Sequence, residues 1–160
     1  MNLYPLACGL ILVEIAARVD AHAASLRNSD VLEALDYACV NDFSYIGASV
    51  SNLAAGAVVA LVGRHEGGKT LSRSTVNAVI DGFAIYFDSA NYRYAYPCGK
   101  VLPIARRVAT MAIADANKKI TLQHDKILDL LVDGLLLDDG NPRRGEDGAD
   151  ALQETCAGVL

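Results

Sequence analysis

Apolar residues return at three- and four-residue steps along almost the whole chain, and that spacing constrains the fold more than any other feature of the sequence. Leu10, Val13 and Ala17, with Ile11, Ile15 and Val19, form one stripe that continues to about Leu26. A period near 3.6 residues puts such positions on one face of an α-helix, whereas a half-buried strand alternates every second residue. The same spacing recurs from Val31 to Cys39, from Leu53 to Leu61, from Val76 to Phe87, from Val101 to Ala112 and from Ile127 to Leu135. Stops and caps separate the runs. Asn28-Ser29-Asp30 reads as a stop followed by an N-cap at Asp30, Gly67-Gly68 as a break, Ser72 or Ser74 as a cap, and Thr121 as the cap ahead of Ile127. Residues 89–99, closed by Pro97 and Gly99, and the charged stretch 138–148 read as loops. A final helical pattern opens near Ala149 and breaks off at Leu160.

These helices repeat in kind. Residues 31–37, 76–82 and 128–134 resemble one another, with aligned aspartates at Asp36, Asp81 and Asp133. The runs between them also match. Leu53, Ala57, Val58 and Leu61 align with Leu152, Cys156, Ala157 and Leu160, and a weaker run around Leu102 lies between. Alternating helix types at a period near 45–50 residues mark stacked helical pairs, because one amphipathic pair cannot bury its apolar face alone. The expected fold is all-α, an α-solenoid of about three repeats (28–66, 70–116 and 121–160) plus an N-terminal helix. At 160 residues there is room for three to four such units. With no Trp and an apolar content rich in Ala, Leu, Val and Ile, close helix packing is favoured over a β-sandwich.

Residues 52–61 and 151–160 resemble the last, longest helix of armadillo repeats, in which a leucine or valine, three residues and then small residues precede a terminal leucine. The resemblance covers about half of the chain, and HEAT-like repeats fit nearly as well. It implies a non-enzymatic scaffold that binds another protein or peptide, with the last helix of each repeat lining a concave groove. Asn52 with Gly56, Arg106 with Arg107, and Gln153 with Glu154 would be the exposed groove positions. Arginine pairs suit acidic peptides because the guanidinium forks onto carboxylates; a solvated face gives the same letters. Only Asn52 matches the groove asparagine of peptide-binding armadillo proteins, which argues against recognition of basic import signals. Tyr92, Tyr94 and Tyr96 beside Arg93 form either an aromatic hot spot or rings that cover a helix end. Because the pattern breaks off at Leu160 without a polar capping face, a continuing chain or a partner is expected over that end.

Composition limits the alternatives. A net charge of −5 and a pI near 5.0 argue against non-specific nucleic-acid binding, which leans on a basic surface. Cys8, Cys39, Cys98 and Cys156 form no CxxC pair, and His22, His65 and His124 share no ligand spacing with them. Three of these thiols, Cys8, Cys39 and Cys156, sit in apolar helical runs, which reads as small buried residues in a reducing compartment, cytoplasm or nucleus. No metal or cofactor site is expected. The apolar stretch from Leu3 to Ala17 carries Pro5 and Glu14 and lacks a basic leader, so it reads as a first helix and not as a signal peptide or membrane span.

One motif offers chemistry. Gly63 to Thr70 fits GxxxxGK[ST], the phosphate loop of P-loop NTPases, with Gly63, Gly68, Lys69 and Thr70 in the fixed positions. In that reading Ala57–Val62 is the preceding strand, Lys69 reaches the phosphates, Thr70 binds magnesium, and Asp138 or Asp139 supplies a second magnesium contact. Such a domain needs a parallel sheet, for which only doubtful runs such as Phe83–Phe87 are present. Asn117-Lys118-Lys119-Ile120 lacks the aspartate of a guanine-recognition motif. A Gly-Gly-Lys-Thr turn between two helices explains the same letters through C-cap and N-cap chemistry. No serine lies in a G-x-S-x-G elbow, so no catalytic residue is assigned. Asp125, Asp129 and Asp133 lie four apart on one helix face, where a solvated acidic face competes with a cation site.

Overall fold

The computed structural model describes residues 3–40, 44–45, 48–63, 70–87 and 96–160. Nine α-helices lie among them: α1 (Tyr4–Ala16), α2 (Asp20–Leu26), α3 (Ser29–Val40), α4 (Val50–Val62), α5 (Arg73–Phe87), α6 (Cys98–Met111), α7 (Asp115–Leu122), α8 (Ile127–Leu135) and α9 (Ala149–Val159). The described strands are the two-residue β1 (Ser44–Tyr45) and β2 (Ala48–Ser49), an antiparallel pairing that joins α3 to α4. The chain is all-α.

The runs that resemble one another fall in helices. Residues 31–37, 76–82 and 128–134 fall in α3, α5 and α8, whereas 52–61 and 152–159 fall in α4 and α9. Each of α3–α4, α5–α6 and α8–α9 packs as a pair. Between pairs, α1, α4, α6 and α9 touch in succession as one row, and α3, α5 and α8 touch in succession as a second. The middle of the first row is α4. It packs on α1, α3, α5 and α6 and buries nine of its thirteen residues. Its buried valines and Leu61 account for this position, each contributing about 1.5–3 kcal/mol of burial. Its alanines and glycine let four neighbours approach.

Local signals explain several boundaries. The Ser72 hydroxyl accepts from the Thr75 N–H at 3.2 Å and caps α5. At α3 the cap is Asn28, whose Oδ1 accepts from the Val31 N–H at 3.0 Å; Asp30 lies inside the helix. The stripe expected to run to Leu26 is broken after Ala16, so α1 and α2 are separate helices. Between α6 and α8 stands α7, which apolar spacing does not announce, and Thr121 lies within it, donating to the Asn117 carbonyl at 2.7 Å. Phe83–Phe87 is helical, with the two rings stacked at 5.4 Å.

Residues 138–148 fasten α6 and α9 together. Arg143 donates from Nη2 to the Tyr96 carbonyl at 2.7 Å and from Nε to Glu146 at 3.1 Å, and its guanidinium lies 5.1 Å from the Phe87 ring centre. Glu146 in turn accepts from the Cys98 thiol at 3.0 Å. The segment ends at Gly148, whose φ of 85° is left-handed and where a Cβ would stand 2.8 Å from the Gly99 Cα. Glycine is required there on both counts. A second close approach is at Gly134 of α8, where a Cβ would meet the Cys156 side chain of α9.

Gly134→Ala should therefore lower the unfolding free energy by about 1–3 kcal/mol in urea titrations, as overpacking does; an unchanged midpoint would show that α8 and α9 are further apart than described. Burial pushes the Glu146 carboxyl upward, but hydrogen bonds from Cys98 and Arg143 and the Arg143 charge outweigh it and hold the group below its ordinary 4.5. A depressed carboxyl contributes stability that is complete above that value and is lost as pH falls through the folded-state value. Glu146→Gln should flatten the decline of the urea midpoint below about pH 4.5, and an identical decline in both proteins would contradict the latch.

Candidate functional site

The polar centre of the molecule lies between α1, α4, α5 and α6. Ala7, Leu10 and Glu14 face inward on α1, and Glu14 is only 8% exposed. Both of its oxygens are taken by Arg107 of α6, with Nε at 2.9 Å and Nη2 at 2.7 Å. The remaining terminal nitrogen of Arg107 donates to Asn52 Oδ1 of α4 at 2.9 Å. Asn52 then donates from Nδ2 to the Ala78 carbonyl of α5 at 3.0 Å. One relay of four links thus ties four helices. Two glycines make room for it: a Cβ at Gly56 would stand 2.8 Å from Arg107 Cζ, and one at Gly82 would meet the Asn52 amide.

Above this relay opens a cleft of about 320 Å³ between α1, α4 and α6. Its walls include Arg18, Arg106, Pro103, Ala60, Thr110 and Ile113, with the Glu14–Arg107 pair as part of its base. Adjacent residues on a helix point about 100° apart, which explains why Arg107 turns inward while Arg106 stays exposed. Neither the Arg18 nor the Arg106 guanidinium has a hydrogen-bond or ion-pair partner among the described residues. Arg107 is fully engaged with Glu14 and Asn52, so the unbalanced positive charge of the cleft comes from Arg18 and Arg106.

The expected groove positions divide accordingly. Asn52 is 4% exposed and Gly56 is buried, so neither stands on an open surface. Arg107 is committed to Glu14, and Arg106 alone of the arginine pair faces solvent. Gln153 is half-buried, donating to the Leu135 carbonyl at 2.9 Å and accepting from Arg144 at 3.3 Å. Tyr92 and Tyr94 lie outside the described residues. Tyr96 packs edge-on against Tyr86 at 4.6 Å, with Lys100 over its ring at 5.8 Å, so this ring covers the end of α5 and the start of α6. Glu14 carried no signal beyond interrupting an apolar run, because its partner is distant in sequence.

The phosphate-loop segment has a different setting from the one its letters suggest. Ala57–Val62 is the last part of α4 and not a strand, and Gly63 continues from it with its N–H on the Val59 carbonyl at 2.9 Å. Gly68 and Lys69 lie outside the described residues; Thr70 is exposed ahead of the Ser72 cap. Asn117 spends its Oδ1 on the Leu71 N–H at 2.8 Å, a buried tie between α7 and the residues before α5. The parallel sheet on which nucleotide binding would depend is not present among the described residues.

Other chemistry finds little support. Burial pushes the Cys39 and Cys156 thiols up to about 11, and burial with the Glu146 contact does the same to Cys98, so these thiols stay protonated and unreactive. Cys8 is exposed and not buried in its helical run. Among the described residues no group of three or more His, Cys, Asp and Glu is placed to hold a metal ion. No helix among them is long and apolar enough to cross a membrane. No protein family matches the chain, and no curated protein or solved structure shows significant similarity to it.

Removing one partner of a buried pair leaves an uncompensated charge and costs about 3–5 kcal/mol. Arg107→Met should lower stability by about that amount, and the double variant Glu14→Met/Arg107→Met should recover most of the loss. Equal stabilities for the double and single variants in chemical denaturation would show that the pair is not coupled.

Proposed function

We propose that the chain is a non-enzymatic helical-repeat module, an armadillo- or HEAT-like solenoid of about three repeats plus an N-terminal helix, which binds another protein or peptide. The observation that carries this reading is the pair of helix rows. The second helices α4, α6 and α9 continue the row begun by α1, the first helices α3, α5 and α8 form the other, and each pair packs chiefly on its neighbours. Such connectivity supports a stack, in which neighbour interfaces bury a continuous core. The recurrence of the aspartates and of the armadillo-like runs in corresponding helices supports the same reading.

Surface chemistry supports binding over catalysis. The outer face of α1 exposes Leu6, Ile11, Leu12 and Ile15, and α8 with its C-cap residue exposes Leu128, Val132 and Leu136 at four-residue steps. Contiguous exposed apolar faces of this kind mark interaction sites. Three buried thiols and an acidic balance fit a protein of the cytoplasm or nucleus whose partner is not bulk nucleic acid. The P-loop alternative has no such support, since its strand is helical.

Selection of a random-peptide display library on the intact protein tests the reading, and a reproducible consensus sequence is the expected result. Absence of any enriched sequence would count against a peptide-binding module. ATP and GTP with magnesium at millimolar concentration should show no saturable binding; saturable binding that Lys69→Ala abolishes would restore the nucleotide reading.

A further inference from the structure

We infer that the cleft between α1, α4 and α6 receives a short acidic peptide segment, whose carboxylates pair with Arg18 and Arg106 while an apolar side chain rests on Ala60, Pro103 and Ile113. The inference builds on the repeat-module reading and assigns the chemical class of its partner. Two exposed guanidiniums without partners among the described residues flank one concavity. The acid at the base is already neutralised, because both Glu14 oxygens are held by Arg107. An incoming carboxylate therefore meets two free cations and no competing free acid among the cleft-lining residues.

Charge decides the kind of anion. The chain as a whole carries −5, so there is no broad positive field to hold a polyanion such as nucleic acid or an anionic bilayer. The positive potential is local and is set beside the apolar wall residues Ala60, Pro103 and Ile113. A ligand that matches both parts carries one or two carboxylates next to an aliphatic side chain. At about 320 Å³ the cleft has room for such a cluster of side chains. Guanidinium–carboxylate forks fix its register.

Fluorescence polarisation with a labelled peptide in which glutamates flank a leucine pair tests the inference, alongside the same peptide with lysine for glutamate. The acidic peptide should bind, and the lysine peptide should not. Arg18→Glu/Arg106→Glu should weaken acidic-peptide binding by at least about tenfold, while Arg106→Lys loses less, since the charge is kept and the fork is lost. Both arginines are exposed, and unchanged circular dichroism of the double variant would establish that it folds. Raising salt from about 50 to 200 mM should weaken binding severalfold. Binding of the acidic peptide unchanged by the double charge reversal would overturn the inference. Displacement by inorganic phosphate at an ionic strength where sodium chloride has no effect would mark a phosphate site and also overturn it. A display consensus that is not acidic, or that survives charge reversal, would sink this cleft assignment and leave the repeat-module reading standing. Failure of the selection to yield any consensus would remove that reading itself.

Discussion

Everything in this molecule leans on the burial of α4. A helix surrounded by four others has almost no face left for solvent, so its polar residue must find partners inside. Asn52 does so through Arg107 and the Ala78 carbonyl, and Arg107 needs the Glu14 carboxylate to offset its own desolvation. Gly56 and Gly82 exist as glycines in this arrangement because a Cβ at either would occupy the volume of the relay. The relay adds direction to contacts that dispersion and burial alone would leave loosely specified. It fixes α1 and α6 against the same turn of α4 and links them to α5.

The cleft follows from the same constraint. Drawing Arg107 inward leaves Arg106 outward one residue earlier, and Arg18 stands exposed in the turn that follows α1. Arg107 ties α1, α4 and α6 together, and Arg18 and Arg106 stay exposed at the cleft above it. An internally balanced ion pair thus lies beneath two exposed arginines on an acidic protein.

Sequence periodicity made the helical character of the chain legible. The aspartates at 36, 81 and 133 fall in α3, α5 and α8, and the runs at 52–61 and 152–159 fall in α4 and α9, because burial of one face per helix leaves a 3.6-residue trace. Where burial is polar, that trace fails. The inward residues of α7 are Asn117 and Thr121, so no apolar stripe announces it. Asn52 reads as a surface residue because nothing local reveals a partner 55 residues away. Glu14 reads as an interruption because its partner is 93 residues away. The GxxxxGK[ST] letters fit a helix-to-helix connection as well as a phosphate loop, since glycine and threonine suit both, and only the helical state of Ala57–Val62 separates the two backbones.

The row of second helices is the central structural claim, and a distance across it tests that claim most directly. Spin labels on Cys8 of α1 and on Glu154→Cys of α9, both at exposed positions, would lie at opposite ends of the row α1–α4–α6–α9. Three interhelical steps of about 8–10 Å predict a separation of roughly 20–30 Å by pulsed dipolar spectroscopy. A distribution centred below about 15 Å would mean that α1 closes against α9 in a bundle, contradicting the stacked rows.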